Sequence, residues 1–506
     1  MAMKYFNSRL DFRNAWFKVK KDIGKGFWGE TFVDEPYQIS MIENNFLDWF
    51  NSLIDKLDVY EPQEAIEILV PKGNGKTRLG KVLSIEDQMV YSALIWEGIH
   101  EIRKTLKWSA RTKRYSNILL DYKYTGSWTV FYMKSWKLFY KESLKLAGEY
   151  EYILFTDIEG FYENINIETL ISELEEIGFK KDTLGLLKRC LYKWSGSVNR
   201  GLAQGYMPSN ILAEIYLNSI DKELDKKGIK YIRNVDDFRI ACKSELEAFE
   251  TLSVLRKLCL EKGLELNDSK TSILHKKDAL NKIKGISPII EGIDGRIKEK
   301  LVDIGSGYRG IKNPIRDDLS QKELWETFKD FFIDNNQFDR SLFHYMANRI
   351  HKPHLVEYCQ FLITERPEET RYIFIHFNNL LKEGYDLTDV AENLAFILLT
   401  DVHDIKVYEY QKYLFVKWIF ENKIVSPDLL NIVRDLLSQK FKIKNIKDYA
   451  IAYLGDNGEQ NDILHLKDIQ KQIDDPFTVE LISYVTKSSM RRVENRSRDS
   501  VSGVSK

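Results

Sequence analysis

Two short apolar runs of the sequence end in aspartate, and this pattern limits the fold more than any other feature of the chain. In YILFTDIEGFY, Asp157 follows the apolar residues 153–155, and in YIRNVDDFRIAC, Asp236 and Asp237 stand between two apolar runs. The first run predicts a buried strand that brings a carboxylate to a sheet edge, and the second predicts a hairpin with the acidic pair at its turn. Because a bare Asp-Asp pair is often only a solvated turn, the neighbouring segments must decide its role.

The pattern of secondary structure changes along the chain. Between about 150 and 290, short β-rich runs alternate with helical patterns, which predicts an α+β segment. From about 320 onward the sequence reads as successive amphipathic helices with almost no strand signal. Their spacing of roughly 35–45 residues per helix pair favours a degenerate HEAT-like α-solenoid, and an ordinary irregular helical domain is the alternative.

These changes predict four regions in chain order. The glycine-rich passage 305–314, GSGYRGIKNP, is the best candidate for a linker between the α+β part and the helical part. The polar, Ser/Arg-rich end of the chain predicts a disordered tail. The predicted ranges are an N-terminal extension 1–64, an α+β domain 65–300, a helical domain 301–490 and a tail 491–506.

Composition excludes several classes of protein. Hydrophobic residues make up 43% of the chain and aromatic residues 13%, which excludes a disordered protein. The four cysteines are too widely spaced for a metal knuckle or a dense disulfide framework, and we find no secretory signal and no apolar stretch of membrane length. We therefore expect a cytoplasmic protein without a membrane partner. The 75 basic against 76 acidic residues argue at first against a polyanionic partner.

Four segments in succession resemble the palm motifs of reverse transcriptases. They are FTDIEGFY, GLAQGYMPSNILAEIYL, NVDDF and KGLELNDSKT, and a preceding segment, VPKGNGKTRLGKVLSIEDQMVYSAL, resembles the fingers of the same family. The resemblance covers about residues 65–290 and implies a right-hand polymerase with fingers and palm, here followed by an all-α domain. Near-neutral charge then fits an enclosed channel for one short nucleic acid better than loose binding along a duplex.

The resemblance implies a two-metal site for nucleotidyl transfer. It assigns Asp157 and Asp236 to binding both Mg²⁺ ions, with Mn²⁺ as an alternative ion, and Asp237 to supporting them. The backbone carbonyl of Ile158 would complete the ion on the nucleotide side, and Lys270 would be the general acid for pyrophosphate. Hard oxygen ligands on rigid strands suit such ions, which stand roughly 3.5–4 Å apart in enzymes of this kind.

Further residues match the family's substrate contacts. Lys72 and Arg78 match the fingers residues that grip the incoming triphosphate, although Lys72 also fits a solvated basic hairpin. Tyr162 matches the bulky residue that excludes a ribose 2′-OH, and a core aromatic is its alternative. The residues that match the loop packing against the template base and nucleotide are Gln204, Gly205 and Ser209.

The segment KTLKWSARTKRY interleaves cations with aromatic rings. Such a pattern is typical of single-stranded nucleic-acid binding, because cations neutralise phosphates and rings stack on bases. A charged helix face is the alternative. The candidate nucleic-acid-binding residues are Lys104, Lys107, Arg111, Lys113 and Arg114.

The match to the family departs at three positions. The usual tyrosine of the x-Asp-Asp turn is Asn234, and the usual prolines of the glutamine-glycine loop are Ala203 and Met207. The first change removes a residue that packs near the primer end, so template or primer handling is expected to differ. All of the expected metal-binding carboxylates remain.

A palm followed by a long helical region resembles the bacterial abortive-infection and related defence reverse transcriptases. This implies DNA synthesis in anti-phage defence, either RNA-templated or template-independent, with protein priming from a tyrosine in some members. The implied partners are dNTPs, an RNA template such as an associated noncoding RNA, a single-stranded DNA product and further copies of the chain bound through the helical half.

Two other functions stay open at this point. Arg371 and His376 have the R-x₄-H spacing of a helical ribonuclease family, and His351 and His354 form an H-x-x-H pair, so the helical half is a candidate toxin nuclease. Apolar residues fill the interval between Arg371 and His376, which favours a histidine packed in a helix. The third hypothesis is a scaffold that binds nucleic acid or protein without catalysis.

Overall fold

A computed structural model describes most of the chain. The described residues are 10–25, 32–73, 75–107, 113–120, 126–130, 132–303, 313–347, 349–350, 353–400 and 407–502. The description is limited to the backbone at Asp58, Lys107, Tyr132, Ser197 and residues 297–303, 313–319, 353–354 and 490–502. Most of the predicted linker 305–314 lies outside the described residues.

The chain forms two compact units that interleave along the sequence. The first comprises residues 1–32, 47–66 and 80–285, and the second comprises 33–46, 67–79 and 286–506. The contiguous domain ranges expected from the sequence therefore differ from the units at two places, because 33–46 and 67–79 contact residues far along the chain.

In the described parts of the chain, strands and helices alternate up to residue 285, and the regular elements after that residue are helices. The strands are β1 Ile66–Lys72, β2 Lys76–Val82, β3 Tyr152–Thr156, β4 Lys230–Asn234, β5 Asp237–Cys242 and β6 Ser272–His275. The helices up to residue 285 are α1 Phe12–Ile23, α2 Gln38–Asn44, α3 Phe46–Asp55, α4 Ile85–Glu97, α5 Ile99–Lys107, α6 Tyr132–Glu149, α7 Phe161–Asn164, α8 Ile167–Glu176, α9 Lys181–Ser195, α10 Met207–Lys226, α11 Glu245–Glu261 and α12 Lys276–Lys284.

The centre of the first unit is a four-stranded antiparallel sheet in the order β4-β5-β3-β6. Side chains of β3 alternate between its faces, as strand geometry requires. Ile153 and Phe155 join a buried cluster with residues of α6 and α12, whereas Leu154 is buried on the other face, opposite Ile240. Both faces are covered, so the sheet edge where β3 ends is the place where polar side chains can gather.

Helix α10, whose side chains bond to residues of β4, is buried along most of its length. It begins at Met207 with Pro208 in its first turn, where the missing N–H costs no intrahelical hydrogen bond. Most of its side chains are buried, including the polar Glu214 and Asp221. A helix buried in this way must satisfy its polar groups internally, and both carboxylates accept hydrogen bonds from buried partners.

Among the described residues of the second unit, the regular elements are helices apart from residues 67–79 of the β1–β2 hairpin. Its helices beyond residue 285 are α13 Ser287–Asp303, α14 Asn313–Phe328, α15 Arg340–Ala347, α16 Pro353–Glu365, α17 Thr370–Lys382, α18 Thr388–Leu399, α19 Glu409–Glu421, α20 Pro427–Leu436, α21 Asn445–Asn457, α22 Gln460–Gln470 and α23 Pro476–Ser502. A π-helical turn, Lys329–Asp334, follows α14.

From α15 to α23, the main contacts of each helix are with helices one or two places along the chain. This nearest-neighbour packing is the arrangement of stacked helical repeats. The mixed α/β region followed by a mostly helical region is therefore confirmed. The predicted disordered tail is not what the structure has over residues 491–502, because α23 continues to Ser502. The four arginines and Glu494 of this segment favour helix despite their polarity, and composition alone missed this.

A strap at residues 33–46 is tied to the helical unit mainly by a partly exposed aspartate, Asp34. Asp34 accepts hydrogen bonds from the hydroxyls of Tyr413 at 2.6 Å and Tyr449 at 2.8 Å, and pairs with Lys417 at 2.5 Å. Burial alone would raise the pKa of Asp34, but Lys417 and the two hydroxyls hold it below its ordinary value.

No helix in the described part of the chain has the length and apolar character needed to cross a membrane.

Candidate active site

The end of β3 and the β4–β5 turn place three carboxylates at one edge of the sheet. Thr156 of β3 pairs with Phe238 of β5, and continuing that register by one residue sets Asp157 opposite Asp237. Asp236 precedes Asp237 in the turn, whose flanking residues Asn234 and Asp237 are paired. The predicted gathering of Asp157, Asp236 and Asp237 at a strand end and a hairpin turn is therefore what the backbone provides.

The charge of Asp157 helps to raise the pKa values of the two carboxylates in the turn. Burial, followed by the charge of Asp157, raises the pKa of Asp236 to about 7. Partial burial and the charge of Asp157 raise the pKa of Asp237 to about 6, although Arg239 opposes this. Like charges held together in this way create a demand for a cation.

Lys270 supplies positive charge to the site. Its Nζ contacts Asp157 Oδ2, and more than half of the lysine side chain remains exposed. Burial works to lower the pKa of Lys270, but the hydrogen bond and charge of Asp157, with the charges of Asp236 and Asp237, raise it overall. The loop before Lys270 is fixed to the same strand end, because Asn267 N–H donates to the carbonyl of Asp157 at 2.7 Å.

The backbone of Ile158 is oriented by its pairing with residues 265–267. Ile158 forms an antiparallel bridge with Leu266, and the bonds of this bridge use the neighbouring residues: Asn267 N–H to Asp157 O, and Glu159 N–H to Glu265 O at 2.8 Å. In such a pair the residue's own N–H and C=O point away from the bridging strand. The Ile158 carbonyl therefore points away from Leu266, toward the side where β5 pairs with β3.

The spacing and the chemistry of the three carboxylates decide whether a metal ion fits them. Within the described ranges, no three His, Cys, Asp or Glu side chains converge closely enough to hold a metal. The donors of the three side chains are carboxylate oxygens, which are the hard ligands that Mg²⁺ and Mn²⁺ prefer. The pKa of Asp236 is raised, so a nearby cation would favour its ionised form.

Asp237 has two cationic neighbours that the sequence analysis missed. Arg239 Nη2 lies 3.8 Å from Asp237 Oδ2, and the Arg239 guanidinium lies over the Phe139 ring. Lys282, whose Nζ lies 4.5 Å from the Phe155 ring centroid, also lowers the pKa of Asp237. The period of two along β5 could have identified Arg239, because residues 237 and 239 share a face. These cations fit a supporting role for Asp237.

Tyr162 is held near the start of α10. It is half-buried on the short helix α7, and its hydroxyl donates to Asn210 Oδ1 at 2.7 Å. Gln204 and Gly205 form the turn before α10, and Gly205 has φ +97°, which favours glycine. Ser209 differs from the prediction of a nucleotide contact. It is fully buried, and its Oγ lies 2.9 Å from the Tyr91 hydroxyl, because its position in the first turn of α10 points it into the core.

Lys72 and Arg78 lie on the β1–β2 hairpin, in residues that belong to the second unit. Lys72 is exposed and, with Lys76, Tyr358 and Arg366, lines a cavity of about 360 Å³ within that unit. Arg78 is half-buried, and its charge acts on the buried hydroxyl of Tyr410. The carboxylates belong to the first unit, so the predicted triphosphate grip stays a prediction.

The basic residues of the segment 104–114 are only partly exposed. Lys104 is exposed, whereas Lys107 and Arg111 lie outside the residues whose side chains are described. Lys113 pairs with Asp225, and Arg114 is 2% exposed with its Nη1 3.5 Å from Glu214. Arg114 is therefore misassigned as a nucleic-acid contact. Residues 113–115 pair with β4, through Tyr115 N–H to Arg233 O at 2.9 Å, and this pairing turns Arg114 inward.

The helical half gives little support to a nuclease. His376 is 1% exposed within α17, and Arg371 interacts with the buried Tyr410 hydroxyl. The imidazole at 376 is thus a packed side chain with no open approach for a phosphodiester. His351 lies outside the described residues, and the side chain of His354 is likewise not described.

Comparisons with known proteins agree with the site's location. Residues 70–298, a little under half of the chain, match the family model for "Reverse transcriptase (RNA-dependent DNA polymerase)". A comparison with curated proteins found no match.

Among solved structures, the chain has remote similarity to telomerases and to a CRISPR-associated complex. For the Candida tropicalis apo telomerase truncated from the C-terminal domain, identity is 13% and the TM-score 0.30, over 42% of this chain and 50% of that one. For the Candida albicans telomerase with a telomeric RNA fragment, the identity is 10% and the TM-score 0.32, over 87% of this chain and 67% of that one. For a partial Cas6-RT-Cas1–Cas2 complex, the identity is 19% and the TM-score 0.27, over 48% of this chain and 40% of that one. The chain thus spans half or less of the first and third of these proteins.

Proposed function

We propose that this protein, whose residues 70–298 are a reverse transcriptase domain, is an RNA-directed DNA polymerase that joins dNTPs to a primer hydroxyl. The observation that carries the proposal is the sheet edge at which Asp157, Asp236 and Asp237 interact with one another and with Lys270. Asp157 and Asp236, with the Ile158 carbonyl, would hold two Mg²⁺ ions, and Asp237 would support them. When bound, such ions activate the primer hydroxyl and neutralise the leaving pyrophosphate.

The remaining residues act on substrate and protons. Lys270, held at Asp157 with a raised pKa, stays protonated near neutral pH and is placed to give a proton to the departing pyrophosphate. Tyr162, fixed by Asn210, presents a rigid ring that would exclude a ribose 2′-OH. Gln204 and Gly205 would contact the template base and nucleotide, and Lys72 and Arg78 would bind the triphosphate.

The proposal is tested by primer extension on a defined RNA template with Mg²⁺ and dNTPs. Asp236→Asn should reduce extension by several orders of magnitude, since it removes a charged metal ligand while keeping the size of the side chain. Glu250→Gln, an equivalent change at an exposed position on α11 of the same unit, is the matched control and should extend like the wild type. Full extension by a folded Asp236→Asn protein would refute the proposal.

We propose further that the polymerase acts in the cytoplasm in anti-phage defence. Its partners would be dNTPs, an RNA template such as an associated noncoding RNA, and the single-stranded DNA product. The helical stack would join copies of the chain into an oligomer, since repeat units expose extended surfaces for binding. The four cysteines are free and buried, which supports a reducing compartment.

This role has two direct tests. Phage plating on cells that carry the wild type or Asp236→Asn should show protection only with the wild type, and equal protection by both would refute a defence role for synthesis. Synthesis primed by a tyrosine, with or without a template, should leave DNA covalently attached to the protein after incubation with dNTPs. Recovery of protein free of DNA under conditions that yield product would refute priming by the protein.

A further inference from the structure

The turn that carries Asp236 contains a strained residue. Val235 has φ +58°, in the left-handed region, where a β-branched side chain is a clear outlier. Such a conformation persists only where its surroundings hold it, and it is found most often at functional sites. The residues that hold Val235 therefore bear on the geometry of the acidic pair that follows it.

Both backbone polar groups of Val235 are bound by side chains. Its N–H donates to Ser116 Oγ at 2.8 Å, and its carbonyl accepts from Arg233 Nη1 at 2.9 Å. Neither bond belongs to the regular β4–β5 ladder, which ends at the pair Asn234–Asp237. The conformation of the turn is thus set by Ser116 and Arg233 and not by the sheet alone.

Two carboxylates of α10 fix these two side chains. Glu214 accepts from the Ser116 hydroxyl through Oε1 and from Arg233 Nη1 through Oε2 at 2.7 Å. Asp221 accepts from Arg233 Nε at 2.9 Å and from Nη2 at 2.6 Å. Arg233 and both acids are at most 1% exposed. With Arg114 against Glu214, the network has two cations and two anions, so its charge is balanced inside the protein.

The hydrogen bonds of this network run from helix α10 through Arg233 to the turn that carries Asp236. Glu214 and Asp221 lie on α10, which is buried along most of its length, and the bidentate Arg–carboxylate pair fixes both distance and plane. Arg233 then holds the Val235 carbonyl, while Ser116 holds its N–H. A shift of Val235 would displace Asp236, the next residue, relative to Asp157, which follows β3.

We infer that Arg233, Glu214 and Ser116 are positioning residues of the polymerase reaction, which hold Val235 in its left-handed conformation and so set Asp236 and Asp237 against Asp157. This inference rests on the proposed function. The three residues are not catalytic residues, because they are buried and act only through Val235. Outer-shell partners of this kind typically change metal affinity or activity by about 10–100-fold when removed.

Ser116→Ala tests the inference with the least disturbance, because it removes one hydroxyl and leaves every charge paired. Mn²⁺ binding to the full chain, followed by electron paramagnetic resonance without nucleotide, should weaken about 10-fold. The Mg²⁺ concentration for half-maximal single-turnover extension should rise in parallel. The matched control is Ser195→Ala, which removes the same hydroxyl from a serine on α9 that is 1% exposed and donates to the Tyr192 carbonyl at 2.9 Å, outside the network. It should leave Mn²⁺ affinity unchanged.

A rescue separates positioning from general stability. Asparagine adopts left-handed backbone conformations more readily than valine. Val235→Asn in the Ser116→Ala background should therefore restore much of the lost Mn²⁺ affinity. Unchanged Mn²⁺ binding in folded Ser116→Ala would overturn the inference, and so would an equal loss in Ser195→Ala or a failure of the rescue. None of these results depends on Asp236→Asn, whose retained extension would instead overturn the proposed function.

Discussion

Glu35 gives the helical unit a stability that should fall as pH rises. It lies in the strap 33–46, where burial, with the charges of Asp448 and Asp475, raises the pKa of Glu35 to about 7 despite Lys444 at 3.5 Å. The ordinary value is 4.5. A carboxyl with a raised pKa in the folded state favours folding while it is protonated. Its ionisation therefore destabilises the unit progressively between pH 4.5 and 7.

The size of this effect follows from linkage. Each pKa unit corresponds to about 1.4 kcal/mol, so the full cost above pH 7 is about 3 kcal/mol as an upper value. Glu35→Gln removes the ionisation and keeps the shape. We expect the variant to be more stable than the wild type by about 1 to 3 kcal/mol at pH 8, and by less than about 1 kcal/mol at pH 5. For a unit of this size the gain corresponds to roughly 2–4 °C per kcal/mol.

The assay is thermal or urea unfolding of the full chain at pH 5 and pH 8, with the transition of the helical unit followed by circular dichroism. Glu326→Gln, the same substitution at a side chain that is 55% exposed on α14, is the control and should not alter the pH dependence. A Glu35→Gln protein that is no more stable than the wild type at pH 8, or equally stabilised at both pH values, would refute the reasoning.

Three further predictions concern the site and the strap. Lys270→Arg keeps a cation beside Asp157 but cannot give up a proton, so single-turnover nucleotide addition should fall about 10²-fold, and wild-type rates would argue for a purely electrostatic lysine. Tyr162→Ala should raise ribonucleotide use relative to dNTPs by about 10-fold or more, whereas Tyr162→Phe, which loses only the bond to Asn210, should keep selectivity; equal selectivity in all three proteins would contradict the gate. Asp34→Asn should destabilise the helical unit by about 1–3 kcal/mol in urea unfolding, because it removes the nearer of two carboxylates that pair with the buried Lys417 and leaves Glu421 at 3.7 Å. The exposed Asp435→Asn on α20 is the control and should leave the midpoint nearly unchanged, and equal midpoints for all three proteins would contradict the role of Asp34.

The α+β region could be predicted from the sequence because its patterns are local. Alternation in β3 and the apolar runs around Asp236 follow from strand geometry, so the meeting of Asp157 with the turn could be predicted from two strands and a hairpin. Helical periodicity similarly predicted the stacked second half.

The missed features are those that depend on distant contacts. The strap at 33–46 joins the helical unit through Asp34 and Lys417, which are separated by 383 residues and share no local pattern. Arg114 reads as a surface cation until pairing with β4 turns it toward Glu214. The strain at Val235 is equally invisible in a sequence, because it results from side chains on three separate segments.

The sequence of the product made on a defined RNA template tests the central claim most directly. Purified wild-type protein, given that RNA, a primer, dNTPs and Mg²⁺, should yield DNA complementary to the template. Asp157→Asn, with an unchanged unfolding transition, should yield none. DNA synthesis that survives the loss of Asp157, or a folded wild-type protein that adds no dNTP to any primer on any template, would contradict the account.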